Sequence, residues 1–184
     1  MTCEVGRSRV ARHDRIRNWE ANAEKSCRGI RPETEQRVPQ WDRVNPRTNL
    51  LERAVLDVAT RSPSTGELVY LDVRVACELS ADPERMRARA RRDGAAASAG
   101  AADKRLRYPE GRAPGALVPF VVECGGRPSD EAAAWMRALG AAASETDASI
   151  STATLWQQLA TELQLGNAEM ILSAIGPEAL AFLA

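Results

Sequence analysis

The feature that most restricts the fold is a pair of strand-like segments on either side of a short turn. In residues 67–77, apolar side chains alternate with polar or aromatic ones, as expected for a strand with one buried face. Residues 53–60 form a second apolar run, which contains Asp57. Residues 62–66, Ser-Pro-Ser-Thr-Gly, have the composition of a turn. The two segments therefore predict a β-hairpin.

Helical and strand patterns surround this hairpin and predict a mixed α/β chain. Before the hairpin, the patterns predict a helix over 8–29 and a loop over 30–49 with a short strand near Arg37-Val38. After it, they predict a helix from Asp82 to Arg107, which Gly94 and Gly100 bend or split, and a buried strand over 117–123. The last predicted elements are helices over 129–139, 151–164 and 168–183. We expect an α/β (α+β) fold with a small mixed sheet, flanking helices and a C-terminal helical hairpin. We divide the chain into a domain over 1–143 and an acidic helical tail over 144–184.

Charge is unevenly distributed along a chain whose net charge is zero. Residues 82–112 contain nine basic and five acidic side chains, a net charge of +4, whereas residues 144–184 contain five acids and no Lys or Arg. The basic middle segment is compatible with nucleic-acid binding. The apolar fraction of 44% and the charged fraction of 27% are typical of a globular protein and exclude a disordered chain.

The lengths of the apolar runs restrict the cellular location of the chain, and the positions of its cysteines restrict the kind of metal site that it can form. No apolar run approaches the ~20 residues that span a bilayer, and residues 1–7 lack the apolar core of a signal peptide. We therefore expect an intracellular protein with neither secretion nor membrane insertion. The cysteines, at positions 3, 27, 77 and 124, are far apart and there is one histidine, so the spacing excludes a Cys/His zinc site and predicts free thiols.

Asp57 and Asp72 are the first candidate site residues, because each lies within an apolar strand of the predicted hairpin. Two ionised carboxylates on adjacent strands repel each other unless a cation lies between them. Oxygen ligands of this kind suit Mg²⁺, which neutralises charge and activates water at a phosphodiester. The alternative is that each aspartate lies on a solvated face or pairs with an arginine.

Lys104, Arg107 and Tyr108 form a second candidate set, since their spacing places them on one helical face. A lysine can hold an attacking water or stabilise a phosphorane, and an arginine can bind phosphate with two parallel hydrogen bonds. The alternative is a cation at a helix end beside a tyrosine that covers the core.

Three further features have two interpretations each. His13 is either a base or phosphate contact, or a structural histidine. Glu123 is either a metal ligand or a salt-bridge partner. An apolar stripe at helical spacing either packs in the core or forms a partner surface; it consists of Leu155, Trp156, Leu159 and Leu163.

Five short motifs occur in a fixed order along residues 9–140. They are Arg12-His13-Asp14, Leu56-Asp57-Val58, Leu71-Asp72-Val73, Lys104-Arg105-Leu106-Arg107-Tyr108 and Val118-Pro119-Phe120-Val121-Val122-Glu123-Cys124-Gly125-Gly126-Arg127-Pro128. Together they resemble the restriction-enzyme-like endonuclease domain of some non-LTR retrotransposons, a branch of the PD-(D/E)XK nuclease superfamily. The fourth motif looks like that family's K-x-x-K/R-Y, and the fifth looks like its late strand and Gly-Gly turn.

The resemblance implies a restriction-endonuclease-like core over 1–143, with Asp57 and Asp72 as metal ligands and Lys104 as the catalytic lysine. The residues that it implies as DNA-binding or supporting are His13, Arg12, Arg74, Arg107, Tyr108 and Glu123. It implies Mg²⁺ or Mn²⁺ as cofactor, DNA as substrate, a reverse transcriptase or its RNA as a further partner, and a nuclear location in a eukaryote. The sequence departs from the superfamily pattern at Leu56, where proline is expected, and at Arg74, where lysine is expected.

These observations favour a Mg²⁺-dependent endonuclease that cuts one DNA strand by attack of water on phosphorus. The basic segment Arg85–Arg92 would follow the phosphate backbone. Two alternatives stay open: a catalytically inactive nuclease fold that acts as a DNA-binding or interaction module, and a degenerate retroelement fragment.

Overall fold

The computed structural model describes residues 4–79, 82–146 and 149–180. Its helices are α1 (Glu4–Arg28), α2 (Pro83–Ala90), α3 (Ala95–Arg107), α4 (Asp130–Thr146) and α5 (Thr152–Leu180). Its strands are β1 (Glu33–Arg37), β2 (Arg43–Val44), β3 (Leu51–Glu52), β4 (Val55–Arg61), β5 (Leu68–Ala76) and β6 (Ala116–Glu123), and a short 3-10 turn spans Pro39–Trp41.

The central sheet has four strands in the order β1-β4-β5-β6. Strand β4 runs antiparallel to β1 and β5, whereas β6 runs parallel to β5. Strands β2 and β3 form a separate antiparallel pair. The mixed α/β fold and the β4–β5 hairpin predicted from the sequence are therefore confirmed. The central strands β4, β5 and β6 are mostly buried because each face of the sheet is covered by helices or by the Trp41 segment.

One face of the sheet forms the main core against α1, α4 and α5. The sheet and each of the three helices contribute large, fully buried side chains to this core: Ile16, Leu71, Phe120, Met136, Leu139, Leu155, Leu159 and Leu163. The opposite face packs against α3 through Ala97, Ala101 and Val121. Beside α3, the rings of Tyr70 and Tyr108 lie 5.5 Å and 5.4 Å from the Trp41 ring.

The C-terminal region differs from the prediction of two helices. A single helix, α5, runs through Gly166-Asn167, where the sequence indicated a break. Gly166 lies where α5 crosses α1, and a Cβ there would come within 2.5 Å of Cγ of Arg12. The glycine therefore permits close helix packing and does not end the helix.

The tail joins the sheet in one core. Leu155, Leu159 and Leu163 are buried in the main core, and Trp156 packs partly buried against it, so this stripe packs inside the protein. The predicted boundary between residues 143 and 144 lies within α4. In the described ranges, no helix combines the length and the apolarity needed to cross a membrane.

The predicted long helix from Asp82 to Arg107 is divided in two. Gly94, with φ 74°, separates α2 from α3, because this left-handed conformation interrupts a helix. Gly100 does not interrupt α3; a Cβ there would come within 2.9 Å of Val121 on β6, so this glycine lets the helix approach the sheet.

Candidate functional site

The hairpin brings Asp57 and Asp72 together. The last paired residues of β4 and β5 are Val58 and Leu71. Asp57 and Asp72 are the next residue on each strand, and their carboxyl groups interact. Beyond this point β5 runs on without β4, and Oδ2 of Asp57 accepts a 2.6 Å hydrogen bond from the backbone N–H of Val73. The Asp57 carboxylate thus occupies the position where backbone pairing between the two strands stops.

Two basic side chains reach this carboxylate pair from opposite layers. Nε2 of His13, on α1, lies 3.2 Å from Oδ2 of Asp57. Nζ of Lys104, on α3, lies 2.5 Å from Oδ2 of Asp72. The structure therefore gathers Asp57, Asp72, Lys104 and His13 into one cluster, which we call the aspartate cluster.

The two aspartates have opposite pKa shifts. Burial raises the pKa of Asp57, but hydrogen bonds from His13 and from Val73 N–H outweigh burial and leave the pKa below its ordinary value. Burial raises the pKa of Asp72 to about 6, and the adjacent Asp57 carboxylate adds to this effect while Lys104 opposes it. The hydrogen bond with Asp57 raises the pKa of His13. The cluster consequently holds one firmly ionised carboxylate beside one that takes up a proton near pH 6.

A cleft of about 570 Å³ opens beside the cluster, between α1, α3 and the end of β5 that extends beyond β4. The basic residues that line it are Arg9, Arg12, His13, Arg74 and Lys104. Because positive charge in a cleft concentrates anions, the cleft can receive a phosphate group beside His13 and Lys104, the two cleft residues that contact Asp57 and Asp72.

Two of the basic residues in the cleft are held in place by neighbours. Arg12 is buried, and its Nη1 donates to Oδ1 of Asn167 on α5 at 2.7 Å. Arg74 pairs with the exposed Asp103 at 2.9 Å, so its guanidinium remains at the surface of the cleft.

Other predicted site residues lie away from the aspartate cluster or are engaged elsewhere. Oε1 of Glu123 accepts the backbone N–H groups of Ala96 and Ala97 at 2.8 Å and 3.1 Å, so this carboxylate caps α3. Arg107 donates to the carbonyl of Trp41 at 2.6 Å. The Glu123 carboxylate is thus engaged by α3 and is not placed to bind a cation beside Asp72, and Arg107 is engaged by a backbone carbonyl and does not line the cleft.

Tyr108 lies between the aromatic cluster and the aspartates. Its ring packs on Trp41 and lies 4.9 Å from the Arg107 guanidinium carbon. Burial raises its pKa to about 12, and the negative charge of Asp72 contributes. Tyr108 therefore remains a neutral hydroxyl at neutral pH.

Part of the predicted phosphate-binding segment lies close to the cleft. Arg89 on α2 donates to the carbonyl of Cys77 at 2.7 Å, and Cys77 lines the cleft. Arg87, Arg91 and Arg92 are exposed, and the Arg85 side chain lies outside the described part of the structure. The exposed arginines could extend the positive surface beyond the cleft.

Sequence reasoning did not identify Arg9 or the second group of ligand-type side chains in the cleft. In the described part of the chain, one group of three such residues has all its ligand atoms within 4.8 Å of one another: Cys77, Glu78 and Cys124. Cys77 and Cys124 each directly follow a strand, which is the signal that could have found them. The parallel pairing of β5 and β6 that joins the two strand ends could not be read from the spacing.

Comparison of the chain with protein-family models, with curated proteins and with solved structures found no match. The resemblance to the restriction-enzyme-like endonuclease domain therefore stays a prediction that rests on the motifs.

Proposed function

We propose that this chain is a divalent-metal-dependent DNA endonuclease that cleaves one strand by attack of water on phosphorus. The observation that supports it is the convergence of Asp57, Asp72 and Lys104 beside a basic cleft. Acidic side chains for a cation, a lysine, and arginines for phosphate are the groups that such a reaction needs.

The donor set of the aspartate cluster fits Mg²⁺ or Mn²⁺. Asp57 and Asp72 offer carboxylate oxygens, and the lowered pKa of Asp57 keeps one of them ionised. Mg²⁺ is commonly held by one or two carboxylates together with water. When bound, the cation would supply positive charge at the scissile phosphate and lower the pKa of a water.

The protein's own residues have distinct roles in this proposal. Arg9 and Arg12 would bind the phosphate backbone, and Arg74 would extend this contact at the cleft surface. Lys104, whose ammonium lies beside Asp72, would exchange that partner for the attacking water or the phosphate oxygen once Asp72 is engaged elsewhere. His13 would hold the Asp57 carboxylate in orientation.

Nicking of supercoiled plasmid DNA tests this function. We expect the wild-type chain to nick DNA with Mg²⁺ or Mn²⁺ but not with EDTA, and Asp57→Asn and Asp72→Asn to lose this activity while keeping their circular dichroism spectra. Asp93→Asn is the matched control, because Asp93 is an exposed acid paired with Arg127. Metal-dependent nicking retained in both cluster variants would overturn the proposal.

A second candidate function is a catalytically inactive DNA-binding or interaction module. The observation that favours it is that Lys104 already neutralises Asp72 while His13 and Val73 N–H satisfy Asp57. Such a module binds DNA by its arginines with a strong dependence on salt and without a divalent cation. DNA binding that is unchanged by EDTA and by Asp72→Asn, together with an absence of nicking, would favour this alternative.

The proposal also includes a retroelement origin, with a reverse transcriptase or its RNA as a partner and a nuclear location in a eukaryotic host. Its support is the order of the five motifs over residues 9–140. The genomic flank tests the origin: an in-frame reverse transcriptase upstream would support it, and unrelated flanking genes in several genomes would contradict it. In the nicking assay, a degenerate fragment would leave the plasmid uncut, whereas an active enzyme would nick it.

A further inference from the structure

Two cysteines and a glutamate meet where the parallel strands β5 and β6 end. Ala76 pairs with Glu123, so Cys77 and Cys124 leave the sheet side by side, and the N–H of Cys124 donates to the carbonyl of Ala76 at 2.9 Å. Glu78 follows Cys77, and the two Sγ atoms and a carboxylate oxygen all lie within 4.8 Å of one another.

We propose that Cys77, Glu78 and Cys124 bind one zinc-type divalent cation at the rim of the cleft. This inference does not depend on the nuclease proposal, since it uses none of Asp57, Asp72 or Lys104. Two sulfur ligands and one carboxylate favour a borderline-soft cation such as Zn²⁺ over Mg²⁺ or Ca²⁺, which prefer oxygen ligands.

The separation of the ligand atoms is compatible with binding. With Zn–S bonds of about 2.3 Å and tetrahedral angles, two coordinated sulfurs lie about 3.8 Å apart. The two sulfurs, which lie within 4.8 Å of each other, need to approach by about 1 Å or less, a movement within reach of side-chain torsions. Cys77 is exposed and the other two side chains are half-buried, so a cation has a path from solvent.

Surrounding contacts orient the ligands. The N–H of Gly125 donates to Oε1 of Glu78 at 2.8 Å, and a Cβ at position 125 would lie only 3.2 Å from that oxygen. Nη1 of Arg12 lies 3.4 Å from Sγ of Cys124, and Asn167 holds the Cys124 carbonyl at 3.0 Å. Contacts of this kind fix ligand direction, and the Arg12 guanidinium offsets the net charge of −1 left by two thiolates, one carboxylate and a divalent cation.

Three protein ligands leave one tetrahedral position open. Cys77 and Cys124 both line the cleft that contains Arg12, His13 and Lys104. The open position would therefore be available to water or to an anion in the same cleft.

Cobalt binding tests the site directly. The full chain, reduced with a phosphine and freed of metal by chelator, is titrated with Co²⁺ and then with Zn²⁺. We expect a thiolate-to-cobalt charge-transfer band at one equivalent, bleached by Zn²⁺ and unaffected by excess Mg²⁺. Cys77→Ser and Cys124→Ser should lose the band, and Glu78→Gln should weaken Co²⁺ binding about tenfold or more. Cys27→Ala, which removes a buried thiol elsewhere in the core, should retain the band.

Thiol alkylation of the wild-type chain followed by mass mapping gives a second test that does not depend on whether a variant folds. Zn²⁺ should slow alkylation of both Cys77 and Cys124. No charge-transfer band in the wild type, a band that survives Cys77→Ser or Cys124→Ser, or alkylation of these thiols unaffected by Zn²⁺ would each overturn the site. Asp57→Asn leaves the band unchanged, which separates failure of this site from failure of the aspartate cluster.

Discussion

Asp57 and Asp72 differ in protonation because their partners differ. Asp57 accepts hydrogen bonds from His13 and from Val73 N–H, whereas Asp72 is buried between Asp57 and Lys104. Without a bound cation, the two carboxylates therefore take up one proton as the pH falls through about 6, and that proton lies mainly on Asp72.

Substitutions in the cluster should move the Asp72 titration in opposite directions. Asp57→Asn removes a negative neighbour, so the pKa of Asp72 should fall below about 6, and Lys104→Met removes its cation, so the pKa should rise above about 6. Carboxyl carbon chemical shifts followed by NMR over pH measure both, and Asp93→Asn should change neither. An Asp72 titration that stays in place in Asp57→Asn would contradict the electrostatic coupling.

The crossing of α1 and α5 depends on the glycine at position 166. A Cβ there would lie 2.5 Å from Cγ and 3.3 Å from Cα of Arg12, so an added methyl group meets another helix near its backbone. This crossing also holds Arg12 against Asn167, which lies next to Gly166 in the chain.

Gly166→Ala should destabilise the protein although alanine favours helices. The gain in helix propensity is about 1 kcal/mol, and the steric cost of forcing the helices apart is expected to exceed it, giving a net loss of about 1–3 kcal/mol. Urea unfolding measures the change. Gln158→Ala is the control, because Gln158 lies at an exposed position of the same helix, where an alanine meets no close contact with another helix. A stabilised Gly166→Ala variant would show that the helices have room at this crossing.

Elements with a regular pattern were predictable, and those fixed by long-range packing were not. The alternation around Leu71 identified β5 and its faces, whereas β1, Glu-Thr-Glu-Gln-Arg, is a polar edge strand without alternation. The hairpin indicated that Asp57 and Asp72 would be close. The contact of Glu123 with the first turn of α3 depends on how helix and sheet pack, which no local pattern encodes.

At the scale of the whole molecule, α1 carries two carboxyl groups into the main core. Glu20 and Glu24 are fully buried, and Nε1 of Trp135 donates to Oε1 of Glu20 at 2.8 Å. Burial raises the pKa of Glu20 to about 8 and that of Glu24 to about 7, and Arg28 opposes the shift of Glu24. The pKa of both groups in the unfolded chain is 4.5, so at a pH between 4.5 and these raised values the folded chain retains protons that the unfolded chain has released.

The free energy of unfolding should therefore fall as the pH rises from about 4.5 to about 8, by up to about 1.4 kcal/mol per pH unit for one such group. Above that range it should level off. Glu20→Gln keeps an acceptor for Trp135 and removes the titration, so its free energy of unfolding should depend less on pH. Urea unfolding of both proteins at about pH 5 and about pH 8 measures the difference. An equal pH dependence in wild type and Glu20→Gln would contradict a protonated Glu20 in the core.

Isothermal titration calorimetry of Mn²⁺ against the full chain tests the aspartate cluster most directly, because it requires neither DNA nor turnover. At a pH above 6, where Asp72 is ionised, we predict saturable Mn²⁺ binding in the wild type and in Asp93→Asn. Cys77→Ser removes a ligand of the site proposed at Cys77, Glu78 and Cys124, and it should leave this Mn²⁺ binding in place. Asp57→Asn and Asp72→Asn should abolish the binding. Mn²⁺ binding of equal strength in wild type, Asp57→Asn and Asp72→Asn would contradict a cation site at the cluster.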